Sequence, residues 1–444
     1  MPEIFPFRAV RYADPQSLGL RLAPPYDVIT PAQREGYAAR DPENVVHLIL
    51  PQGRPGRDER DKYVHAGELY RDWLARGVLA RDGAPSLYVL EQRFSWEGQT
   101  HTRRGFLARL GLRPFSDGVV LPHEKTLSGP KADRLQLFRE VRANLSPIFA
   151  LYADSGEQAL LDASTAGQPG VLVQGEDGVA NRLWTLDDPA LLREVARRLQ
   201  PRLAYIADGH HRYETGLAYA AELDAAAGAS RPGGAHHTIL AYFCSLADPG
   251  LVILPTHRVV HSLPSLDAQE VMRRATAFFE VTPATGLGER PAAVTALRVQ
   301  AALAAAGNER ATFLVLANSG SWILKIRRDL DLTGLAGLPK LRELRELDVT
   351  LLHSLLFEKL LGLSPDSQAR QENLRYVKSP DEAVSALGHG GQLAVFLNAT
   401  RPAQVQAIAE GGEVMPQKST FFYPKLPSGL LFNPLDPAER TDGA

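Results

Sequence analysis

The run Asp208-Gly209-His210-His211-Arg212 sets a carboxylate, two imidazoles and a guanidinium side by side after the apolar stretch Leu203–Ala207. The pattern predicts a buried strand, a tight polar turn, and a helix that runs to about Ala227 before Gly228. Gly209 would let the backbone fold back or approach a ligand closely. First-turn N–H groups and the positive end of the helix dipole would meet the Arg212 fork there, a combination suited to phosphate. The plain alternative is a capped helix start in which Asp208 satisfies backbone donors and the histidines are packed or solvated. For an isolated His-His-Arg that alternative is the commoner one.

A second run holds His123, Glu124, Lys125, Thr126, Lys131, Asp133 and Arg134. It offers a general base, cationic phosphate ligands and carboxylates in loop or helix-start positions. It lacks the second histidine of a zinc-protease helix, so no zinc site is read from it. A solvated polar loop is the usual fate of such charge clusters. Elsewhere, Pro24-Pro25 fixes an extended turn that would aim Tyr26 and Asp27, and Asn44 enters the short apolar run Val45–Leu50, expected as a strand. His257 and Arg258 follow Leu254-Pro255-Thr256, and Lys418 to Lys425 surrounds hydroxyls and aromatics with two lysines in a loop that could close over a nucleotide or serve only as a packing strap.

These residues need a scaffold, and the patterning supplies one. Ser86–Phe94 and Thr100–Leu112 flank Trp96–Gln99 as a hairpin, and Gly170–Gln174 pairs in the same way with Asn181–Thr185. Helices are expected over Arg57–Arg76, Lys131–Val141, Pro189–Leu199 and Asp348–Leu361, the last carrying His353 on or near its buried face. The fold class is α+β (mixed α/β), in three regions: 1–153 with the Pro-Pro-Tyr-Asp and His-Glu-Lys-Thr loops, 154–285 with the central turn, and 286–444 with the closing Lys-Ser-Thr loop.

Composition limits the functions open to the chain. Across 444 residues, 49 Lys and Arg nearly balance 51 Asp and Glu, giving a net charge of −2. That argues against a broad nucleic-acid surface while leaving room for a local basic pocket. The one cysteine, Cys244, lies in the apolar run Leu240–Leu246 and excludes an intrachain disulfide or a multi-cysteine metal site. With no leader-like start and no uncharged apolar run of membrane-spanning length, a cytoplasmic protein with no membrane partner is expected. A homodimer is left open.

The central strand–turn–helix resembles the phosphate-binding element of the ParB and sulfiredoxin-like superfamily, which includes CTP-binding partition proteins, sulfiredoxins and free-serine kinases. Taken in order, Pro24–Asp27, Asn44–His47, His123–Thr126 with Lys131 and Asp133–Leu135, Asn144–Phe149, Asp208–Arg212, Leu254–Arg258 and Lys418–Leu426 resemble the domain-of-unknown-function 1015 family over essentially the whole chain. The resemblance implies a ParB/sulfiredoxin-like core with additional mixed-sheet and helical elements.

It also implies a nucleotide-dependent kinase of a small hydroxylated metabolite, with free serine as first acceptor and Mg²⁺ with ATP or ADP as cofactors. Phosphoryl transfer asks for charge stabilisation and positioning, and the assignments follow from that. Asp208, Gly209, His210, His211, Arg212, Lys125, Thr126, Lys131, Arg134, Arg258 and Lys418 would hold phosphates. Asp208, Glu124 and Asp133 would hold Mg²⁺, and His211, His123 or Glu124 would take the proton. Tyr26, Asp27, Asn44 and His257 would meet the substrate. The chain has no Walker loop, protein-kinase signature or Rossmann glycine fingerprint. The alternatives are a non-enzymatic nucleotide-binding switch and a phosphatase or phosphometabolite sensor.

Overall fold

The computed structural model describes residues 2–125, 128–153, 156–228, 233–284, 287 and 292–441, excluding the side chains of 128–130 and 292–294. Thr126, expected at the phosphate site, lies outside the described residues. The fold is mixed α/β, as expected, and the chain groups into two compact units. The first comprises Met1–Pro122, Thr126–Val252 and Pro424–Ala444, and the second His123–Lys125 and Ile253–Tyr423. The expected regions meeting at 153 and 285 cut across these units: strands before and after 153 share one sheet, and His257–His261 and Phe279–Pro283 belong to the sheet of the second unit.

Among its described residues the first unit is built on a nine-stranded mixed sheet. Its centre is the predicted hairpin, Leu87–Trp96 with Gln99–Gly111, in register from Tyr88 opposite Leu107 to Trp96 opposite Gln99. The second predicted hairpin, Val171–Gln174 with Ala180–Leu186, extends the sheet on one side. On the other side Thr238–Ser245 pairs antiparallel with the central hairpin and parallel with Ile148–Tyr152. Ile148–Tyr152 in turn pairs antiparallel with Ala204–Asp208.

These inner strands are near-continuous apolar runs because both of their faces are covered. Phe106, Ile148, Ala150, Ile206 and Phe243 join Val195 and Tyr213 from the flanking helices in one core. The helix Ser128–Val141 packs on the long helix His210–Ala227, with Phe138 edge-on to Tyr219 at 6.0 Å.

The run Val45–Leu50 is a correction to the sequence reading: Val46–Ile49 is a helical turn, not a strand. Asn44 explains it, since its Oδ1 accepts the Val46 N–H at 2.9 Å while its Nδ2 donates to Leu20 O at 2.6 Å. A buried side-chain bond of this kind to the first residue of the turn commits a short apolar run, ambiguous by periodicity, to the helix. Both polar ends of Asn44 are thereby engaged within the fold.

The second unit carries an antiparallel six-stranded sheet, in the order Phe279–Pro283, Gly320–Ile326, Thr312–Ala317, Gly391–Leu397, His257–His261 and Leu374–Val377. Val299 and Leu303 of Ala292–Ala306 and Ala383 and Leu387 of Pro380–Leu387 cover one face. The apolar segment predicted as a helix from Asp348 begins with an α-helical turn, Asp348–Leu351, and continues in π-helical turns over Leu352–Leu360. Among the described residues no helix is long and apolar enough to cross a membrane.

The close packing of the central hairpin yields a stability prediction. A Cβ on Gly105 would stand 2.1 Å from Phe243 O and 2.6 Å from the Tyr242 ring. Gly105→Ala should therefore destabilise the first unit by roughly 1–3 kcal/mol, read as a lower denaturant midpoint with an unchanged slope. An unchanged midpoint would show that the sheet yields there at no cost.

Candidate functional site

The central motif folds as its pattern predicts, with one refinement that its pattern hides. The strand Ala204–Asp208 is bulged between Ile206 and Asp208, so that Asp208 pairs with Phe149 directly after Ile206 pairs with Ala150. The extra residue re-aims the end of the strand. Gly209 then takes φ +91° and opens the 18-residue helix His210–Ala227 without contributing a side-chain cap. Only glycine suits that position, because a Cβ would also lie 2.9 Å from Ile148 Cγ2 and 3.0 Å from Arg212 Nε.

Asp208 is the electrostatic centre of the turn. Its Oδ2 accepts from Lys425 Nζ at 2.8 Å, and its Oδ1 lies 3.8 Å from Arg212 Nη2. Burial pushes its carboxyl pKa up, but Lys425 and Arg212 outweigh burial and hold the group well below the usual carboxylate range. Arg212 is itself buried and donates through Nη1 to Pro147 O. His210 is buried beside it and His211 half-buried.

Five expected residues from two other segments, Tyr26, Asp27, Lys131, Asp133 and Arg134, belong to the same unit. Tyr26 starts a helical turn, Tyr26–Val28, set by Pro25. Burial raises its phenol pKa, Arg134 and Arg212 draw it down, and the charges of Asp27 and Asp208 raise it, so the Pro-Pro-Tyr-Asp loop shares its field with the central turn. The Arg134 guanidinium stacks over the Tyr26 ring at 4.2 Å and donates to Ile49 O at 2.7 Å and to Asp133. Asp133 also accepts the Tyr63 hydroxyl at 2.7 Å, and Lys131 pairs with Glu214 of the long helix at 3.3 Å. Asp27 is exposed.

Lys425 was missed as a site residue, although the closing segment that contains it stood out. The residue is positioned through its neighbours. Buried Arg103 donates to Pro424 O at 2.6 Å, and Gln92 Nε2 donates to Lys425 O at 3.3 Å. A cavity of about 100 Å³ lies on this side of Lys425, lined also by Pro24, Gln92 and Asn181.

The other expected residues, His123, Glu124, Lys125, His257, Arg258 and Lys418, form a separate grouping in the second unit. Glu124 Oε1 accepts the N–H groups of Ser419 and Thr420 at 3.0 and 3.1 Å and the Thr420 hydroxyl at 3.2 Å, while His123 Nε2 lies 2.8 Å from that hydroxyl. Two loops almost three hundred residues apart thus close on one carboxylate. Lys418, in the left-handed region at φ +58°, turns its carbonyl to accept from Arg258 Nη2 at 3.1 Å. Its side chain and that of Lys125 are exposed.

Arg258 is fully buried over the Tyr376 ring at 5.1 Å. Burial lowers its pKa to about 10 against the pull of Tyr376 and Glu124. Burial, reinforced by Arg258, lowers both His257 and His353 to about 3, with the Gln368 hydrogen bond opposing the shift at His353.

Each cluster predicts a pH dependence. The folded pKa of Asp208 is depressed, so its pairing contributes fully above its unfolded pKa and is lost as pH falls through the folded value. Lys425→Met should cost about 2–3 kcal/mol at neutral pH, below the range for a fully buried pair, and should flatten the stability loss below about pH 4. An unchanged acid limb in urea titrations from pH 7 to 3 would argue against the pairing. His257 and His353 are neutral when folded, and their contribution is present in full above about pH 6.5 and lost progressively toward pH 3. His353→Gln should remove about one proton from the uptake on unfolding across that window; unchanged uptake would overturn the assignment.

Comparison with solved structures finds a free serine kinase in complex with AMP at 14% identity, covering 72% of this chain and 89% of that one, with a TM-score of 0.34. A conserved hypothetical protein from Pyrococcus furiosus matches at 14% identity, 71% and 91% coverage and a TM-score of 0.33. SbnI with a C-terminal truncation, from Staphylococcus aureus, matches at 10% identity, 74% and 87% coverage and a TM-score of 0.31. No match was found among curated proteins. The family model "Protein of unknown function (DUF1015)" matches residues 4–350, which takes in the central turn and ends short of the Lys418–Leu426 segment that the sequence reading had included. The chain belongs to the DUF1015 family.

Proposed function

We propose that the protein is a nucleotide-dependent phosphotransferase acting on the hydroxyl of a small metabolite, with free serine as the first candidate acceptor. The observation that carries this reading is the Asp208-Gly209 turn. There a bulged strand end and a positive-φ glycine bring an ionised carboxylate, Arg212 and Lys425 to the start of a long helix. Helix-start amides with two cations suit transferring phosphates, and the resemblance of this element to the ParB and sulfiredoxin-like phosphate turn points the same way.

Mg²⁺ with ATP or ADP is the proposed cofactor pair. Asp208 is the carboxylate suited to the metal, since it stays ionised, a hard cation prefers carboxylate oxygen, and its one close partner, Lys425, is a flexible ammonium that can turn to phosphate instead. Asp133 and Glu124 are already committed as acceptors to Tyr63 and Arg134 and to the Ser419–Thr420 loop. Mg²⁺ would supply charge neutralisation on the phosphates. The amides of His210 and His211, Arg212 and Lys425 bind those phosphates, and Lys131, on the neighbouring helix Ser128–Val141 and paired with Glu214, adds positive charge nearby. Tyr26 and Asp27 orient the acceptor. In the transfer, the bond from the terminal phosphorus to its bridging oxygen breaks, the acceptor oxygen bonds to that phosphorus, and the hydroxyl proton passes to His211.

Phosphorus NMR of the purified protein with Mg²⁺, ATP or ADP and a panel of hydroxylated metabolites including serine tests the proposal. A new phosphoester formed by the wild type, and slowed at least about 100-fold in a folded Arg212→Ala variant, is the expected result. Nucleotide-induced thermal stabilisation without turnover would replace the kinase with a binding switch, and phosphate release from phosphoesters without nucleotide would replace it with a phosphatase.

A further inference from the structure

At the opposite end of the helix His210–Ala227 lies a group that the phosphate turn does not use. Asp224 faces the short turn Ala235–His237, which leads into the strand Thr238–Ser245. His236 Nε2 lies 3.3 Å and His237 Nε2 3.1 Å from the same Asp224 Oδ1. One ligand atom from each of the three residues falls within 4.8 Å of the other two. We propose that Asp224, His236 and His237 bind a first-row divalent transition-metal ion of the Zn²⁺ type at a structural site.

The spacing suits that chemistry. Bonds of about 2.0–2.1 Å to a tetrahedral ion put neighbouring ligand atoms about 3.3 Å apart, and the two Nε2–Oδ1 separations of 3.3 and 3.1 Å lie close to it. Two imidazoles with one carboxylate favour zinc and its neighbours over Mg²⁺ or Ca²⁺, which prefer all-oxygen shells. A solvent molecule would complete a fourth position.

The surroundings hold the rings in place. His236 is 2% exposed, and a Cβ on Gly234 would lie 2.6 Å from its Nδ1 and Cε1, so the Gly234 backbone packs directly against the ring. His237 N–H donates to Gly234 O at 2.9 Å, and His237 O accepts from Leu112 N–H at 2.8 Å. Ala235 N–H donates to Glu439 O at 2.9 Å. An ion here therefore clips the last turns of the long helix to the start of a central strand and to the chain's final segment. Asp224 stands fourteen residues beyond His210, about 21 Å along the helix, so the ion has no part in chemistry at the first turn. The competing account is metal-free, with both rings donating to the Asp224 carboxylate.

Zinc itself separates the two accounts. The chelator-stripped full chain is titrated with Zn²⁺ against a chromogenic chelator, and Co²⁺ is added in parallel to record its visible absorption. One equivalent of Zn²⁺ and the intense d–d bands of low-symmetry, four-coordinate Co²⁺ are expected. Asp224→Asn and His237→Gln should each weaken binding at least tenfold, whereas Arg212→Ala should bind as the wild type does. Gly234→Ala keeps all three ligands but displaces the His236 ring, and should weaken binding too. No Zn²⁺ uptake, or uptake equal in wild type, Asp224→Asn and His237→Gln, would overturn the site. Should His237→Gln fail to fold, Asp224→Asn and the wild-type Co²⁺ spectrum decide. None of these readouts depends on phosphotransferase activity.

Discussion

A carboxylate taken partly out of water needs compensation, and the first unit is arranged around supplying it to Asp208. The cost of leaving such a group uncompensated is several kcal/mol, more than a marginally stable fold can lose without consequence. Arg212 arrives locally, one helical turn on. Lys425 arrives from the last segment of the chain, and its approach is fixed by buried polar groups of the central hairpin, Arg103 and Gln92 acting on the Pro424 and Lys425 carbonyls. Further along the same strand, buried Arg109 donates to Asn433 Oδ1 at 2.6 Å. The hairpin's buried arginines thus serve as attachment points for the returning segment, and the segment delivers the cation.

The second unit solves a related problem with backbone donors. Glu124 is satisfied by two consecutive amides and a hydroxyl of the Lys418–Thr420 loop, and the left-handed conformation of Lys418 shapes that loop. A non-glycine residue held at positive φ is strained, and here the strain turns a carbonyl toward the fully buried Arg258. The guanidinium then suppresses protonation of His257 and His353 beside it. Burial first and the buried cation second therefore keep two imidazoles neutral, so this cluster loses stability to acid from about pH 6.5 downward, whereas the Asp208 pairing is lost only at lower pH.

What the sequence made legible were the local elements. Strand, glycine turn and helix over 203–227, both hairpins and the capped helix Pro189–Leu199 follow from periodicity and turn chemistry. The run Val45–Leu50 escaped because six residues that are apolar except for His47 look alike as strand or helix, and Asn44, which accepts the Val46 N–H, is held in place by a bond to Leu20 outside the run. Lys425 escaped because its partner lies more than two hundred residues away and nothing in Tyr423-Pro424-Lys425 encodes the pairing. Asp224 with His236 and His237 escaped for the same reason: adjacent histidines before a strand are unremarkable until a helix from elsewhere brings a carboxylate against them. The bulge at Ala207 leaves no signal in composition at all.

The two cations at Asp208 are not equivalent, and the difference bears on what the turn can do. Arg212 is anchored through Nη1 to Pro147 O, so its guanidinium plane is fixed and only the Nη2 edge faces the carboxylate, at a distance longer than a direct hydrogen bond. Lys425 makes the close contact through a flexible stem. A preorganised fork loses little entropy when it meets an anion, whereas an ammonium on four methylenes can change partner without moving the backbone. The arrangement therefore combines a rigid positive edge with a movable charge on one carboxylate. In the proposed reaction that combination would meet a phosphate with the fixed edge and let Lys425 exchange Asp208 for it, with no motion of the sheet or the long helix.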